Sequence, residues 1–182
     1  MGCDYATINS DVTLNCSDIP VGGIVKALVA KYSDLTAFTE VDGEITSVTI
    51  ANLKVVDLEF NPKDGFSNFT DEKTVDEAGI VTAIPTVSLE FPKMTLKKRN
   101  ALEVLTSSGM ELVLFVETAA GTRHALGLDF GVMGSSVNGK SGTGRKDKNS
   151  YDIAFTGEET HLSRLISDNT WTNLLTKIKP IV

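Results

Sequence analysis

The sequence predicts a mainly β fold of the α+β type, an antiparallel β-sandwich or open barrel of about eight strands, with one mid-chain helix and a short C-terminal helix. Three observations predict it. Short segments rich in β-branched residues recur along the chain. Several of them alternate apolar and polar residues with the two-residue period of a half-buried strand. Only two segments carry helix-forming text between recognisable caps.

The chain has 182 residues, the size of one domain with tails. Residues 1–22 have weak periodicity and end in Pro20-Val21-Gly22-Gly23; they read as an N-terminal arm, with residues 23–182 as a single domain. Ile24 to about Lys31 suits a strand, although Ile24-Val25-Lys26-Ala27-Leu28 also reads as the start of a helix. Asp42-Gly43 is a hairpin signal, followed by the β-branched run Glu44 to Ile50. Lys54 to Phe60 alternates, with Val56, Leu58 and Phe60 on one face and Asp57 and Glu59 on the wet one. Residues 61–79 read as a long polar loop. Phe66 and Phe69 sit inside it beside Asp71 and Glu72, and either fold back on the core or meet a partner chain. Two strands, residues 80–84 and 86–91, flank Pro85, which marks an edge, a bulge or a break.

Thr95 is a good N-cap for a helix from Leu96 to Thr106, with Ala101, Leu102, Val104 and Leu105 as its apolar face. Met110 to Val116 reads as a buried strand and Arg123 to Phe130 as its partner. Residues 134–149 read as a second long loop, glycine-rich and basic. Ser150 to Gly157 alternates, placing Tyr151, Ile153 and Phe155 on one face. Residues 168–178 form a closing helix, capped by Asp168 or Asn169, with Trp171, Leu174, Leu175 and Ile178 turned inward.

Charge is uneven. The total is −7. Residues 34–90 hold twelve acids and three bases, a balance of −9, which leaves +2 elsewhere. A tight nucleic-acid binder shows a concentrated basic surface, and only Lys93–Arg99 and Lys140–Lys148 cluster here. Mean hydropathy is +0.02, and no apolar run of about 18 residues suggests a membrane helix. The first twenty residues contain three Asp and no Lys or Arg, unlike a secretory signal.

The chemical motifs are thin. Gly134 to Ser141 spells the phosphate-cradling pattern G-x-x-x-x-G-K-[ST]. That pattern works at a strand-to-helix junction, and the residues after Ser141 are poor helix text. Met1-Gly2-Cys3 lacks the Ser or Thr at position six of a myristoylation signal. Cys3, Cys16, His124 and His161 have no metal-ligand spacing. The two histidines follow no nucleophile elbow. The expectation is a protein that is not an enzyme, with no cofactor, no metal and no membrane partner.

The strand–helix–hairpin text from Thr86 through Phe130 and the closing run from Tyr151 to Glu159 resemble a phage tail tube (major tail) protein, over about residues 23–165. The resemblance implies a virion structural protein and homo-oligomer. Such proteins form stacked hexameric rings whose inner strands join into one barrel, with a usually acidic bore through which DNA passes unbound. It implies subunit contacts at Phe66, Phe69, Asp71 and Glu72 and a bore lined by Asp57 and Glu59. The alternatives are another virion component (neck, tail terminator or head decoration protein) and a loop-based module that binds carbohydrate or protein.

Overall fold

The structure is a computed structural model that describes residues 22–60, 67–75, 79–107, 109–144 and 147–179. The predicted arm lies almost wholly outside these residues. Among them are eleven strands and two α-helices, a mainly β fold built on two sheets.

β1 (Ile24–Lys31) leads through a 3-10 turn into the hairpin of β2 (Leu35–Val41) and β3 (Glu44–Ile50). Asp42 and Gly43 both have positive φ, 53° and 85°, as a two-residue type I′ turn requires. β4 (Val56–Asp57) is brief. β5 (Asn68–Val75) and β6 (Val81–Pro92) form the next hairpin, followed by α1 (Leu96–Leu105), β7 (Leu112–Thr118), β8 (Arg123–Leu126), β9 (Met133–Lys140), β10 (Ser150–Thr156), β11 (Arg164–Ile166) and α2 (Asp168–Thr176).

The larger sheet has the order β2-β3-β11-β8-β7-β1-β4, and the smaller β5-β6-β10-β9. All pairings are antiparallel except β11 on β3. Along β7, residues Leu112 to Val116 are all at most 2% exposed, so this strand is covered on both faces. Leu112, Leu114 and Val116 join Val87, Leu89 and Phe91 of β6 and Ile153 and Phe155 of β10 in a core between the sheets. Val113 and Phe115 point the other way, to Ile45 and Val48 of β3 and to Trp171 and Leu174 of α2. The molecule is a sandwich with a second, helix-capped core on its back.

Several elements differ from the sequence reading. Two of the predicted loops contain strands. Asn68–Val75 lies inside the expected loop 61–79 and pairs with β6 through eight consecutive residues. Met133–Lys140 occupies much of the expected loop 134–149 and pairs with β10. The flanks of Pro85 are one strand of twelve residues. Ala83, two residues away, exchanges backbone hydrogen bonds with Glu159. Pro85 therefore aims its missing N–H toward that side, where β10 has ended after the pair Thr86↔Thr156, and no ladder donor is lost. Near β4 the phase is shifted: Val55 is fully buried and Val56 is 42% exposed. Asp168 and Asn169 are not the cap of α2; Ser167 is, its side chain accepting from the Thr170 N–H.

Thr95 caps α1 as its sequence requires, accepting from Lys98 N–H. Of the expected apolar face only Leu102 is buried and Leu105 partly so, whereas Ala101 and Val104 are exposed. The helix lies against β9, and the glycines of that strand make the room. A Cβ on Gly134 would stand 2.6 Å from Thr106 Cγ2 and 2.9 Å from Leu105 O; one on Gly139 would stand 2.9 Å from Met94 Cε and 3.1 Å from Tyr151 Cε1. Gly134→Val is expected to lower stability by about 1–3 kcal/mol, the cost of overpacking, read as a drop in denaturation midpoint, while Ser136→Val on the exposed face changes it little.

Candidate functional site

The smaller sheet has one face on the core and one face open. On the open face stand Thr70, Thr74, Thr82, Thr86, Ser88, Thr156, Ser136 and Asn138, as the alternation and the register require. Thr86 and Thr156 share a hydroxyl contact of 3.3 Å. The charges on this face are largely neutralised. Lys140 pairs with Asp152 at 2.5 Å, and Lys148 with the buried Glu90 at 3.5 Å; Glu72 is exposed. The result is a hydroxyl-rich surface with few free cations, which offers little to phosphate.

The four sheet edges are handled differently. At the larger sheet, β4 has two residues, and Lys179 N–H bonds to the adjacent Val55 carbonyl; β2 carries two register irregularities. Shortness, covering and bulges are the usual ways of blunting an edge. β5 and β9, the edges of the smaller sheet, have eight residues each and no partner on their outer sides among the described residues. β9 is exposed along nearly all its length.

Behind β5 lies a polar joint. Phe69 faces inward, its ring centroid 4.8 Å from that of His124, and packs on the central core. Asp71 accepts from Ser163 N–H through Oδ2, while its Oδ1 is buried with no hydrogen-bond partner among the described residues. His124 Nδ1 lies 3.2 Å from Ser163 Oγ, and Nε2 3.3 Å from Thr122 Oγ1. Burial pushes the His124 imidazole below its ordinary value, and the nearby Asp71 carboxylate only partly offsets this. Asp71 does not contact an imidazole nitrogen within hydrogen-bond reach, so these three do not form a nucleophilic triad.

A second charge cluster centres on Arg164, whose side chain is 10% exposed. Its Nη2 donates to Asp129 Oδ1 at 2.8 Å, its Nε forms an ion pair with Glu40 Oε2 at 2.8 Å at an angle too poor for a hydrogen bond, and its guanidinium sits 5.5 Å from the centre of the Phe38 ring. Glu159 accepts from the backbone N–H groups of Asp129 and Phe130 at 2.9 and 3.2 Å. Burial raises the Glu159 carboxyl, with those two donors acting against it. Burial would also raise Asp129, but the Thr160 hydroxyl and Arg164 outweigh it and hold that carboxyl low. Every group here is engaged with the protein itself, and the cluster ties β2, β11 and the turn after β8 together.

The four residues expected at a subunit contact are thus dispersed in role. Phe66 lies outside the described residues, Phe69 is in the core, Asp71 is in the joint behind β5, and Glu72 is exposed on the edge strand. Asp57 is half-buried and paired with Lys26 at 2.8 Å, and Glu59 is exposed beyond the short β4. The phosphate-loop pattern falls on strand β9 with no helix after it. Sequence reasoning missed the open edges because it read both edge strands as loops; the inward positions of β5 are Phe69, Asp71, Lys73 and Val75, which carry no apolar period.

No protein-family model matches the chain, and no curated protein or solved structure matches it either.

Two outcomes test this geometry. Arg164→Ala leaves Asp129 and Glu40 without their cation and is expected to cost about 3–5 kcal/mol, as loss of one partner of a buried pair does, measured by urea denaturation. His124 has a lowered value in the folded chain, so the folded state binds fewer protons than the unfolded one; stability is full above about pH 6.5 and falls as pH drops through the window below it. The difference in melting temperature between parent and His124→Gln should therefore shrink between about pH 7 and pH 5; a constant difference refutes this assignment.

Proposed function

We propose that this chain is a non-enzymatic structural subunit that assembles with copies of itself into rings of a phage tail tube, through which DNA passes without binding. The observation that carries the reading is the smaller sheet, with one open hydroxyl-rich face and two long edges that have no outer partner among the described residues. A soluble protein normally blunts such edges, because they template pairing with another chain. Here β4 has two residues and a covered carbonyl, whereas β5 and β9 have eight residues each and no outer partner among the described residues; the irregularity of β9 opposite Ala154 and Phe155 leaves its ladder otherwise regular. Edge pairing between copies gives both edges partners and extends one open face into a continuous wall.

In this reading the Thr- and Ser-rich face, more than Asp57 and Glu59, lines the bore. Its cations Lys140 and Lys148 are paired, so it releases no counterions on meeting phosphate and exerts little hold on DNA. The hexameric number and the virion setting come from the tail tube resemblance of residues 86–130 and 151–159. A neck, terminator or decoration role in the same particle uses the same edges.

Electron microscopy of the purified protein at micromolar concentration is the test. Rings or tubes with a central hole are expected, and so is no retention of duplex DNA by those particles at physiological salt. A protein that stays monomeric at high concentration, with both edges exposed, overturns the reading.

A further inference from the structure

Strand registers in the smaller sheet specify how two copies would join. β5 and β9 have equal length and run antiparallel to each other, since the four strands of this sheet alternate in direction. Rotation about a ring axis keeps those directions, so β9 of one copy meets β5 of the next antiparallel. The open-face residues are Ser136, Asn138 and Lys140 on β9 and Asn68, Thr70 and Glu72 on β5. Only registers that set even-numbered residues opposite even-numbered ones keep one face open along the wall.

We infer that the two edges pair along seven positions, with Lys140 of one copy opposite Asn68 of the next, Asn138 opposite Thr70 and Ser136 opposite Glu72. This inference rests on the ring-building reading above and names its joint. Two observations support this register over its neighbours. With Ser135 as the bulged residue of β9, it pairs all the other residues of that strand and leaves only Val75 of β5 beyond the ladder. It also sets the tilt of the wall. Within one copy Asn68 lies level with Ser136, through the pairs Asn68↔Ser88, Ser88↔Ala154 and Ala154↔Ser136. Lys140 lies four residues beyond Ser136, so each copy is displaced by four residues from the last. At roughly 3.3 Å per residue and roughly 4.8 Å between strands, that is about 13 Å of shift across about 19 Å of wall. The strands then tilt by about 35°, at the edge of the ~35–45° range of closed barrels, whatever the number of copies.

Disulfide trapping reads this directly. Paired Cα atoms across a ladder stand about 4.5–5.5 Å apart, within disulfide reach. In one copy the two edges are separated by β6 and β10, so a disulfide between them joins two copies. With Cys3→Ser and Cys16→Ser as background, Thr70→Cys with Asn138→Cys should give covalent ladders on oxidation of the assembled protein. Asn68→Cys with Ser136→Cys, which tests an unshifted joint, should not. Ladders from the second pair alone overturn the register while leaving ring assembly standing. Assembly without ladders from either pair overturns the joint at these edges. Absence of assembly in the Cys-free parent overturns both this inference and the function it rests on.

Discussion

The burial of β7 on both faces is the constraint from which the architecture follows. A strand with Leu112, Val113, Leu114, Phe115 and Val116 all inaccessible needs cover above and below, because each large aliphatic side chain left wet forfeits about 1.5–3 kcal/mol. One face is covered by the smaller sheet through Val87, Leu89, Phe91, Ile153 and Phe155. The other is covered by α2 and by β3, through Trp171, Leu174, Ile45 and Val48. Once the smaller sheet serves as a lid, its own outer face has nothing left to cover. That face is accordingly rich in Thr, Ser and Asn, and its edges have no outer partner among the described residues.

What joins the two ends of this arrangement is polar. Arg164 reaches Glu40 on β2 and Asp129 in the turn after β8, while the Glu159 backbone pairs with Ala83 of β6 and its carboxylate holds the N–H groups of Asp129 and Phe130. The segment from Glu159 to Arg164 therefore touches both sheets. Buried ion pairs contribute little net stability, but breaking one is costly. Such a cluster fixes how the sheets sit relative to each other more than it adds to their stability. That matters if the smaller sheet must present its edges at a defined angle.

The sequence made the central strands legible and the edge strands obscure, for one physical reason. Met110 to Val116 and Ser150 to Thr156 carry their partners' hydrophobic demand in their own text. The hairpin at Asp42-Gly43 is legible because a type I′ turn needs positive φ at both residues. β5 and β9 bury little. Phe69 is the only large apolar residue of β5 packed on the core, and β9 between Met133 and Lys140 is Gly, Ser and Asn with Val137 at its middle. Their strand character comes from ladder hydrogen bonds to β6 and β10, which leave no hydrophobic period in the sequence. Near β4 the alternation holds for Leu58 and Phe60, which meet the central core, and fails at Val56, because the chain leaves the sheet after two residues and Val55 meets the second core. The polar joint at Phe69, Asp71, His124 and Ser163 was illegible because its members come from three distant segments.

The glycines of β9 show how a functional motif can arise from packing alone. The spacing of Gly134 and Gly139 matches a phosphate loop, yet each glycine answers a separate steric demand: Gly134 admits the end of α1 at Leu105 and Thr106, and Gly139 admits Met94 and Tyr151. A phosphate loop uses its glycines to let backbone N–H groups converge on an anion. In β9 the backbone is extended, and its N–H groups alternate between β10 and the open edge, so they diverge. The same absence of Cβ atoms that lets α1 settle on the inner side of the strand also leaves its backbone bare of bulky side chains. A glycine-containing edge whose one cation, Lys140, is paired with Asp152 is a hazard in a monomer and an asset in a subunit whose partner must approach that backbone closely. The packing of α1 and the openness of the edge are thus two consequences of one choice of residue.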